Sequence, residues 1–360
     1  MKILVMKFRN IGDVLLTTPL IDALAMTYPH SRIDFACNAG TQAMIEGNPN
    51  ISHIHVYERD SLRKKGLFGR IWGELKFINA IKKQRYDIII QTTSGDRGVI
   101  IARYAKAGCI VSFLPKNRTL ARFVTHPISL PNLGYVPHTI ERNLATLSAL
   151  KCEIPKRKAV QIYYPDSALD GVSLPEQFIH FHITSRWLFK CVKDEIMAEL
   201  IDFCELELGI KVVLSGDGSE AESAKIASAL ALCKSEPLNL NGTLSLKQTA
   251  ALAARARCFV GVDTAIMHVA ASVNTPVVAF FGPSGAFEWG AWDNELSENG
   301  YKARNGVQKM GKHTVFQKSW QCVPCGKDGC DGSKISRCLV EFSADEIEQI
   351  KAEIRLKAGV

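Results

Sequence analysis

Apolar and polar positions along the chain follow two alternating periods, which predicts strands and helices in regular succession. Short apolar runs rich in Val, Ile and Phe are typical of buried strands, and the segments between them place apolar residues at helical spacing. In the first half, the predicted strands are 3–6, 32–36, 54–56 and 88–90, and the predicted helices are 14–26, 41–47, 68–83 and 98–105. This alternation favours parallel sheets covered by helices.

A second series of strands and helices follows residues 164–175, whose Pro, Gly, Ser and Asp content predicts a linker. Its predicted strands are 178–182, 211–215 and 259–262, and its predicted helices are 194–208, 219–232, 245–255 and 343–357. Ser343 and Glu346 stand in capping-box positions at the start of the last helix. The chain shows no internal repeat or low-complexity tract. Two α/β domains are therefore expected.

Composition and charge narrow the class of protein. The chain has 360 residues, 47% hydrophobic and 22% charged, which is typical of a soluble protein with two cores. No apolar run is long enough to predict a membrane span, and the eleven cysteines favour reduced thiols in a cytoplasmic protein. A net charge of +8 fits an anionic substrate or an acidic membrane surface, and it does not by itself indicate nucleic acid.

The segment 258–284 predicts a site for an anion. An apolar strand passes through Asp263 and Thr264 into a short helix, and backbone N–H groups at such a junction bind phosphate well. The Thr264 hydroxyl adds a donor, while Asp263 and His268 are polar residues that could hold a sugar. Two simpler interpretations remain open here, namely that Asp263 only caps the helix and that His268 is a satisfied core histidine.

A second candidate segment follows the first predicted strand. Gly12 permits a tight turn, and Asp13 stands at the entry to the next helix. The Asp13 carboxylate could be a helix cap, or it could act as a general base that takes the proton from an acceptor hydroxyl.

The order and spacing of these motifs resemble those of glycosyltransferase family 9, the lipopolysaccharide heptosyltransferases. The matching segments are Lys7-x4-Gly-Asp13, Thr184-Ser-Arg-Trp-x2-Lys190, Leu214-Ser-Gly216-x3-Glu220, Leu240-Asn-Gly242, Gly-Val-Asp263-Thr-Ala-x2-His268-x-Ala-Ala, Phe-Gly282-Pro and the cysteine-rich tail. The resemblance covers nearly the whole chain. Residues 186–190 and 322–334 look most like the third heptosyltransferases within the family, and a second heptosyltransferase is the alternative.

The resemblance implies a GT-B architecture, in which two Rossmann-like domains face a central cleft. The first domain, 1–165, would bind the acceptor, and the second, 176–342, would bind the nucleotide-sugar. The helix at 343–360 would pack back on the first domain.

The implied reaction moves L-glycero-D-manno-heptose from ADP-heptose to the inner core of lipopolysaccharide, with inversion and without a metal or cofactor. The implied partners are the donor, the lipopolysaccharide acceptor and the cytoplasmic face of the inner membrane, with no nucleic acid.

The same resemblance implies roles for particular residues. Asp13 matches the general base, and Lys190 matches a lysine at the donor phosphates, although a lone lysine is also typical of a solvated surface. The donor-binding candidates are Thr184, Ser185, Gly216, Glu220, Asp263, Thr264, Ala265 and His268. Glu220 could instead be a surface residue at a helix start.

Acceptor contacts are expected from the first domain. The candidates are Asp96 and Arg97, which follow the strand 88–90, and Arg63 and Lys64, which lie in a basic stretch that also holds Arg59, Lys65 and Arg70. Such a charge run can equally be a solvated face. His138, Glu141 and Arg142 resemble an acceptor-side segment of the family without a role that follows from the sequence.

Three further alternatives remain open. Cys322, Cys325, Cys330 and Cys338 are enough thiolates for a metal, but their spacing differs from paired zinc knuckles, so free thiols or a disulfide are favoured. The segment 216–221 formally matches a G-x-G-x-x-A dinucleotide motif, with Glu236 about twenty residues on, which would indicate an NAD-dependent oxidoreductase. A non-catalytic binding module with the same fold is the third alternative.

Overall fold

The chain folds as two compact units. The computed structural model describes residues 1–93, 95–130 and 136–360. Contacts divide the chain into Met1–Tyr163 and Tyr164–Val360. The segment predicted as a linker belongs to the second unit, where Asp166–Leu169 form a 3-10 turn. Leu169 is buried, and Leu174 packs beside Phe178 in a small apolar cluster. These two leucines hold the segment against the second unit, so it does not behave as a free linker.

The first unit is a six-stranded sheet covered by helices. Its strands are β1 (Lys2–Lys7), β2 (Arg32–Asn38), β3 (His53–Tyr57), β4 (Ile88–Gln91), β5 (Cys109–Ser112) and β6 (His126–Pro127). Its helices are α1 (Ile11–Leu15), α2 (Thr18–Thr27), α3 (Arg59–Arg63), α4 (Leu67–Gln84), α5 (Asp96–Ala105), α6 (Arg118–Ala121) and α7 (Thr139–Ala149). The predicted helix 14–26 is two helices, because Pro19 lies in the first turn of α2 and lacks the N–H that would continue α1. The predicted helix 41–47 is only a 3-10 turn, Gln42–Met44.

All strand pairs in this sheet are parallel, and the order is β3-β2-β1-β4-β5-β6. Leu4 and Met6 of β1 pack with Ile89 of β4 in the core. The strand order reverses between β1 and β4, so the segments that follow these two strands form the crevice in which such sheets bind ligands. Asp13 follows β1 at this point.

The second unit is built on a seven-stranded sheet. Its strands are β7 (Phe178–His182), β8 (Lys211–Leu214), β9 (Leu238–Asn239), β10 (Phe259–Val262), β11 (Val277–Phe281), β12 (Gln308–Met310) and β13 (His313–Gln317). Its helices are α8 (Asp194–Asp202), α9 (Glu220–Leu230), α10 (Leu246–Arg255), α11 (Ala265–Ser272), α12 (Ala286–Trp289), α13 (Arg337–Val340) and α14 (Ala344–Ala358). A π-helical turn, Phe203–Glu207, extends α8.

The second sheet has the order β12-β13-β11-β10-β7-β8-β9, and its pairs are parallel except for β12 with β13. Phe181, Val260 and Phe280 belong to its main core. β7 lies between β10 and β8, so the segments after β7 and β10 meet at the second reversal of strand order. Both units therefore have the predicted Rossmann-like α/β fold.

The last helix has the predicted capping box, and its apolar stripe lies in the second unit. The Ser343 side chain accepts from the N–H of Glu346, whose carboxylate accepts from the N–H of Ser343. Ile350, Ile354 and Ala358 are buried in the core of the second unit. The apolar stripe of this helix therefore completes the second core, and its expected packing on the first domain stays a prediction.

Within the described ranges, no helix combines the length and the apolar character that crossing a bilayer requires.

Candidate active site

Lys190 and Asp263 form an ion pair at the carboxyl edge of the second sheet. Lys190 ends the 3-10 turn Leu188–Lys190 after β7, and Asp263 directly follows β10. The two strands are parallel neighbours, so the segments after them leave the sheet at one edge. Nζ of Lys190 donates to Oδ2 of Asp263 at 2.6 Å, with Asp263 buried and Lys190 half-buried. In the sequence these two residues are separate candidates, and the fold brings them into contact.

The amino end of α11 lies beside this ion pair. Thr264 occupies the cap position in extended conformation, and its side chain makes no capping bond. The interpretation of Asp263 as a helix cap is therefore wrong. The Oγ1 atom of Thr264 is buried and has no hydrogen-bond partner within the part of the chain that the structure describes. Together with the N–H groups from Ala265 onwards, this hydroxyl is a donor available to an anion.

His268 lies one helical turn further along α11. Its ring is buried, and Nδ1 has no hydrogen-bond partner among the described residues, so it is not a satisfied core histidine. Burial lowers the pKa of His268 to about 4, with the Lys190 cation adding to this effect and Asp263 opposing it. The imidazole is therefore neutral near pH 7 and carries one nitrogen that donates and one that accepts.

A buried carboxylate holds the segment after β7 in place. The Thr184 hydroxyl donates to Oε2 of Glu222 at 2.8 Å, and the N–H of Asp217 donates to the same oxygen at 3.2 Å. Burial raises the pKa of Glu222. Ser185 accepts from the N–H of Trp187 at 3.2 Å. Thr184 and Ser185 thus shape the loop that carries Lys190, with Thr184 fully buried.

Glu222 is a buried residue of this site that was not predicted, whereas Glu220 was. Glu220 is exposed in the first turn of α9, whereas Glu222 shares the buried face of that helix with Ile226 and Ala229. These three residues follow helical spacing, i, i+4 and i+7, which was visible in the sequence. A carboxylate on the apolar face of a helix requires a buried partner, and here that partner is Thr184.

Close packing explains the glycines of the loops after β8 and β9. A Cβ atom on Gly216 would lie 2.2 Å from Oδ1 of Asn241. Gly218 and Gly242 have φ of +77° and +72°, and a Cβ atom on Gly218 would lie 2.7 Å from the Cα atom of Gly242. The N–H of Gly218 also donates to Oδ1 of Asn241 at 3.1 Å. The glycines of the formal dinucleotide motif are therefore explained by the contact between these two loops, and a bound dinucleotide is not needed to explain them.

In the first unit, Asp13 lies inside α1 and faces a buried lysine. The cap position of α1 is Asn10, so the interpretation of Asp13 as the cap is wrong. Gly12 is helical there and makes no positive-φ turn. Nζ of Lys7 lies 3.9 Å from Oδ1 of Asp13 and donates to Oδ1 of Asn143 at 3.1 Å. Asp13 thus presents its carboxylate beside a fixed cation.

Lys7 and Asn143 are residues of this site that the sequence analysis did not select. Lys7 is 4% exposed, and burial lowers its pKa to about 8, with Asp13 opposing the change and Arg142 and Arg9 adding to it. The sequence signal was a lysine directly at the end of an apolar strand. No local pattern indicated Asn143, which lies on α7, 136 residues further along.

The acceptor candidates occupy separate elements of the first unit. Arg63 ends α3 and Lys64 follows it, both exposed, and Asp96 is exposed at the start of α5. Arg97 is engaged within the unit, because its guanidinium lies 3.5 Å from the ring centroid of Tyr57 and 3.3 Å from Oε2 of Glu74.

His138 and Glu141 form the capping box of α7, which gives these residues a structural role.

The cysteine tail packs on the turn after β11. The N–H of Gly326 donates to the carbonyl of Pro283 at 2.9 Å, and a Cβ atom on Gly282 would lie 2.6 Å from Leu339. Cys322, Cys325, Cys330 and Cys338 are free thiols, of which Cys338 is buried. Burial raises its pKa to about 12. Over the described residues, no three His, Cys, Asp or Glu side chains are placed to hold a metal ion.

Known proteins are similar to this chain in sequence and in fold. The chain is 27% identical over 295 residues to lipopolysaccharide heptosyltransferase 3 of Escherichia coli, covering 79% of this chain and 84% of that protein. Its fold matches a glycosyl transferase family 9 structure from Veillonella parvula DSM 2008 at a TM-score of 0.77, with 22% identity and 99% and 97% coverage of the two chains. It also matches the E. coli ADP-heptose lps heptosyltransferase II at 0.72, with 19% identity and 99% and 98% coverage.

The family model described as glycosyltransferase family 9 (heptosyltransferase) matches residues 74–319, which is more than half of the chain. The match includes the ion pair of Lys190 and Asp263 and the α11 junction. The protein is accordingly a glycosyltransferase that belongs to family 9, the heptosyltransferase family.

Proposed function

We propose that this enzyme transfers L-glycero-D-manno-heptose from ADP-heptose to the inner core of lipopolysaccharide, with inversion at the anomeric carbon and without a metal. We further propose that it is the third heptosyltransferase, acting at the cytoplasmic face of the inner membrane. The relative named lipopolysaccharide heptosyltransferase 3 supports this assignment. A solved relative with the same fold, E. coli heptosyltransferase WaaC with ADP, supports the nucleotide, at 18% identity and a TM-score of 0.65.

The observation that carries the proposal is the set of donors around Asp263. Lys190 supplies a cation, Thr264 supplies a buried hydroxyl that has no partner in the described part of the chain, and α11 supplies the backbone N–H groups of its first turn. Three such donors match the oxygens of a diphosphate and would offset the charge that develops on the leaving ADP. Asp263 would accept from a heptose hydroxyl while it holds Lys190 in position, and the neutral His268 would donate to either group.

In the proposed step, Asp13 takes the proton of the acceptor hydroxyl as that oxygen bonds to the anomeric carbon. The bond from the anomeric carbon to the diphosphate oxygen breaks, and its electron pair leaves with ADP. Attack opposite the leaving group inverts the configuration. Lys7 would be a positioning residue, since its ammonium lies beside the Asp13 carboxylate and is itself held by Asn143.

The test is transfer assayed with ADP-heptose against defined truncated core acceptors, read by mass and linkage analysis. We expect a heptose to be added as the side branch, and addition at the second position of the core would instead assign a second heptosyltransferase. No transfer from ADP-heptose to any of these acceptors would overturn the proposal. Activity should survive EDTA, and a zinc-reversible loss would contradict the metal-free mechanism.

Asp13→Asn tests the general base within the same assay. We expect kcat to fall by about 10²–10⁴-fold with nearly unchanged ADP affinity. Asp22→Asn is a matched control, because Asp22 lies in the next helix and accepts from Asn50 within the unit. Equal loss of kcat and ADP affinity in Asp13→Asn would assign the residue to donor binding or folding.

Thermal unfolding distinguishes a heptosyltransferase from an NAD-dependent oxidoreductase, because only a ligand that binds the folded protein raises the unfolding midpoint. ADP should raise it and NADH should not.

A further inference from the structure

The outward face of α4 exposes an apolar stripe that the fold of the first unit does not use. Leu67, Ile71 and Leu75 recur at intervals of four residues, and Phe68 and Trp72 lie next to them on the same side. Phe68 is 88% exposed, Trp72 is 73% exposed and Leu67 is 70% exposed. A continuous patch of this kind on a charged protein marks an interaction surface.

The inward side of α4, most of it in the second half of the helix, fixes the helix to its own unit. Ile81 is buried in the core, and Phe77 and Ile78 pack against the same core cluster. Gly73 approaches Leu62 so closely that a Cβ atom there would lie 2.1 Å from that side chain. The inward face thus accounts for the folding of the helix, and the outward stripe is left for a partner.

Positive charge surrounds the stripe. Residues 59–84 contain eight Lys and Arg against two acidic residues, Asp60 and Glu74. Glu74 is engaged with Arg97, so it does not offset the outward lysines. Lys64, Lys65, Arg70 and Lys76 are exposed at the start and along the side of α4. An apolar stripe bordered by basic residues is typical of a helix that lies in the interface of an anionic membrane.

A groove beside the stripe is likewise lined by both apolar and basic side chains. It has a volume of about 840 Å³ and is lined by Trp72 and Leu75 together with Lys76, Lys82 and Lys83. Lysine ammonium groups next to an apolar wall suit a phosphate headgroup whose acyl chains follow the apolar side.

We propose that this face of α4 docks the protein on a bilayer that contains anionic phospholipid, with Phe68 and Trp72 entering the interface and the lysines contacting phosphates. The charge favours a bilayer over a second copy of the chain, because a two-fold contact through this face would place its basic residues against their equivalents. The proposal extends the proposed function, since it names the surface by which the enzyme would approach a lipid-linked acceptor.

Co-sedimentation with vesicles of phosphatidylcholine, alone or with about one third phosphatidylglycerol, tests the proposal. We expect binding only to the anionic vesicles, with weaker binding as salt rises. Phe68→Ser combined with Trp72→Ser should weaken the partition at least about tenfold, because two large apolar side chains no longer leave water. Met26→Ser combined with Leu356→Ser is the matched control, since both residues are exposed elsewhere, at 74% and 64%, and it should bind like the wild type.

Two outcomes would overturn the docking surface. One is equal binding of the wild type and the Phe68/Trp72 variant, both having been shown to be folded by circular dichroism and thermal midpoint. The other is self-association of the wild type in sedimentation velocity that the same variant abolishes, without vesicle binding by either protein. Transfer to a delipidated, water-soluble acceptor should be unchanged in the variant. That assay reports on the proposed reaction alone, so failure of the docking surface and failure of the reaction are distinguishable.

Discussion

The pair of Lys190 and Asp263 shows how a single contact organises the candidate donor site. A half-buried ammonium and a buried carboxylate compensate each other's desolvation when they are in direct contact, here at 2.6 Å. A donor diphosphate would offer Lys190 a second anion at the same place. Thr264 caps the helix that starts beside this pair and His268 lies on it, and each has a buried atom with no hydrogen-bond partner among the residues that the structure describes. The unpaired atoms lower stability unless a ligand satisfies them, which favours binding over a structural role.

Lys190→Met should weaken ADP binding by about 10- to 100-fold, as expected for the loss of a charge-assisted hydrogen bond to phosphate. Isothermal titration of ADP measures the change. Lys193→Met is the matched control, because Lys193 lies three residues away with its ammonium 3.2 Å from Glu195, on the surface. Lys190→Met removes the cation and also leaves the Asp263 carboxylate without its partner. Combining it with Asp263→Asn removes that carboxylate charge, so the double variant measures the effect of the lost cation alone. An unchanged Kd in Lys190→Met would contradict the role at the phosphates.

The lowered pKa of Lys7 predicts that kcat depends on pH in the alkaline range. Its pKa is lowered from 10.5 to about 8 in the folded protein, chiefly by burial. As pH rises through about 8, the cation beside Asp13 is lost, so kcat should fall there. Lys7→Arg should move this fall to higher pH, because a guanidinium keeps its charge. The same fall in the Lys7→Met variant would show that another group is responsible.

The contribution of Lys7 to the free energy of unfolding should rise with pH above about 8, where kcat should fall. Between about pH 8 and 10.5 the unfolded chain holds a proton on Lys7 that the folded chain has released. The contribution of Lys7 to stability therefore rises with pH in this window. Urea unfolding of the wild type and Lys7→Met at pH 8 and pH 10 measures it, and the variant should lose this part of the slope.

At the scale of elements, contact between two glycines holds the loops beside the candidate donor site together. Gly218 follows β8 and Gly242 follows β9, both at positive φ, and each leaves no room for a Cβ atom on the other. Asn241 accepts from the N–H of Gly218 in the other loop and donates to the hydroxyl of Ser223 in α9. A side chain at either glycine would separate the loops.

Gly218→Ala should destabilise the protein more than Gly209→Ala. Gly209 also has positive φ, at +67°, but open space surrounds it, so alanine there should cost only about 1–2 kcal/mol. The overlap at Gly218 should add about 1–3 kcal/mol. Urea midpoints with unchanged m values measure both. Equal losses would show that the two loops separate without cost.

At the scale of the whole molecule, the chain has two units with separate cores, and we have proposed that one binds the donor and the other supplies the base. Asp13 follows β1 in the first sheet, and Lys190 and Asp263 follow β7 and β10 in the second. Each lies where the strand order of its own sheet reverses.

Hydrogen exchange in the presence of ADP tests this division. We expect ADP to slow exchange of the amides at 183–190 and 263–268, because they would contact the diphosphate or pack beneath it. Residues 7–18 should change less, since ADP carries neither the heptose nor the acceptor hydroxyl from which the base would take a proton. Protection confined to residues 7–18 would assign the nucleotide to the first unit.

Local patterns by themselves determined the α/β class, most of the strands and helices, and the positions of Asp13, Lys190 and Asp263 after strands. They could do so because strand and helix periods, helix caps and turn residues act over a few neighbours. The capping box of Ser343 is an example, since both partners lie within one turn.

Only the tertiary structure decided which of these groups meet. The pairs Lys190 with Asp263, Thr184 with Glu222 and Lys7 with Asn143 join residues 73, 38 and 136 positions apart. Helix α14 likewise packs on the second unit because its stripe fits that core, a choice its own periodicity leaves open. Strand order and side-chain packing fix such contacts, and neither is contained in the spacing of residues along one segment.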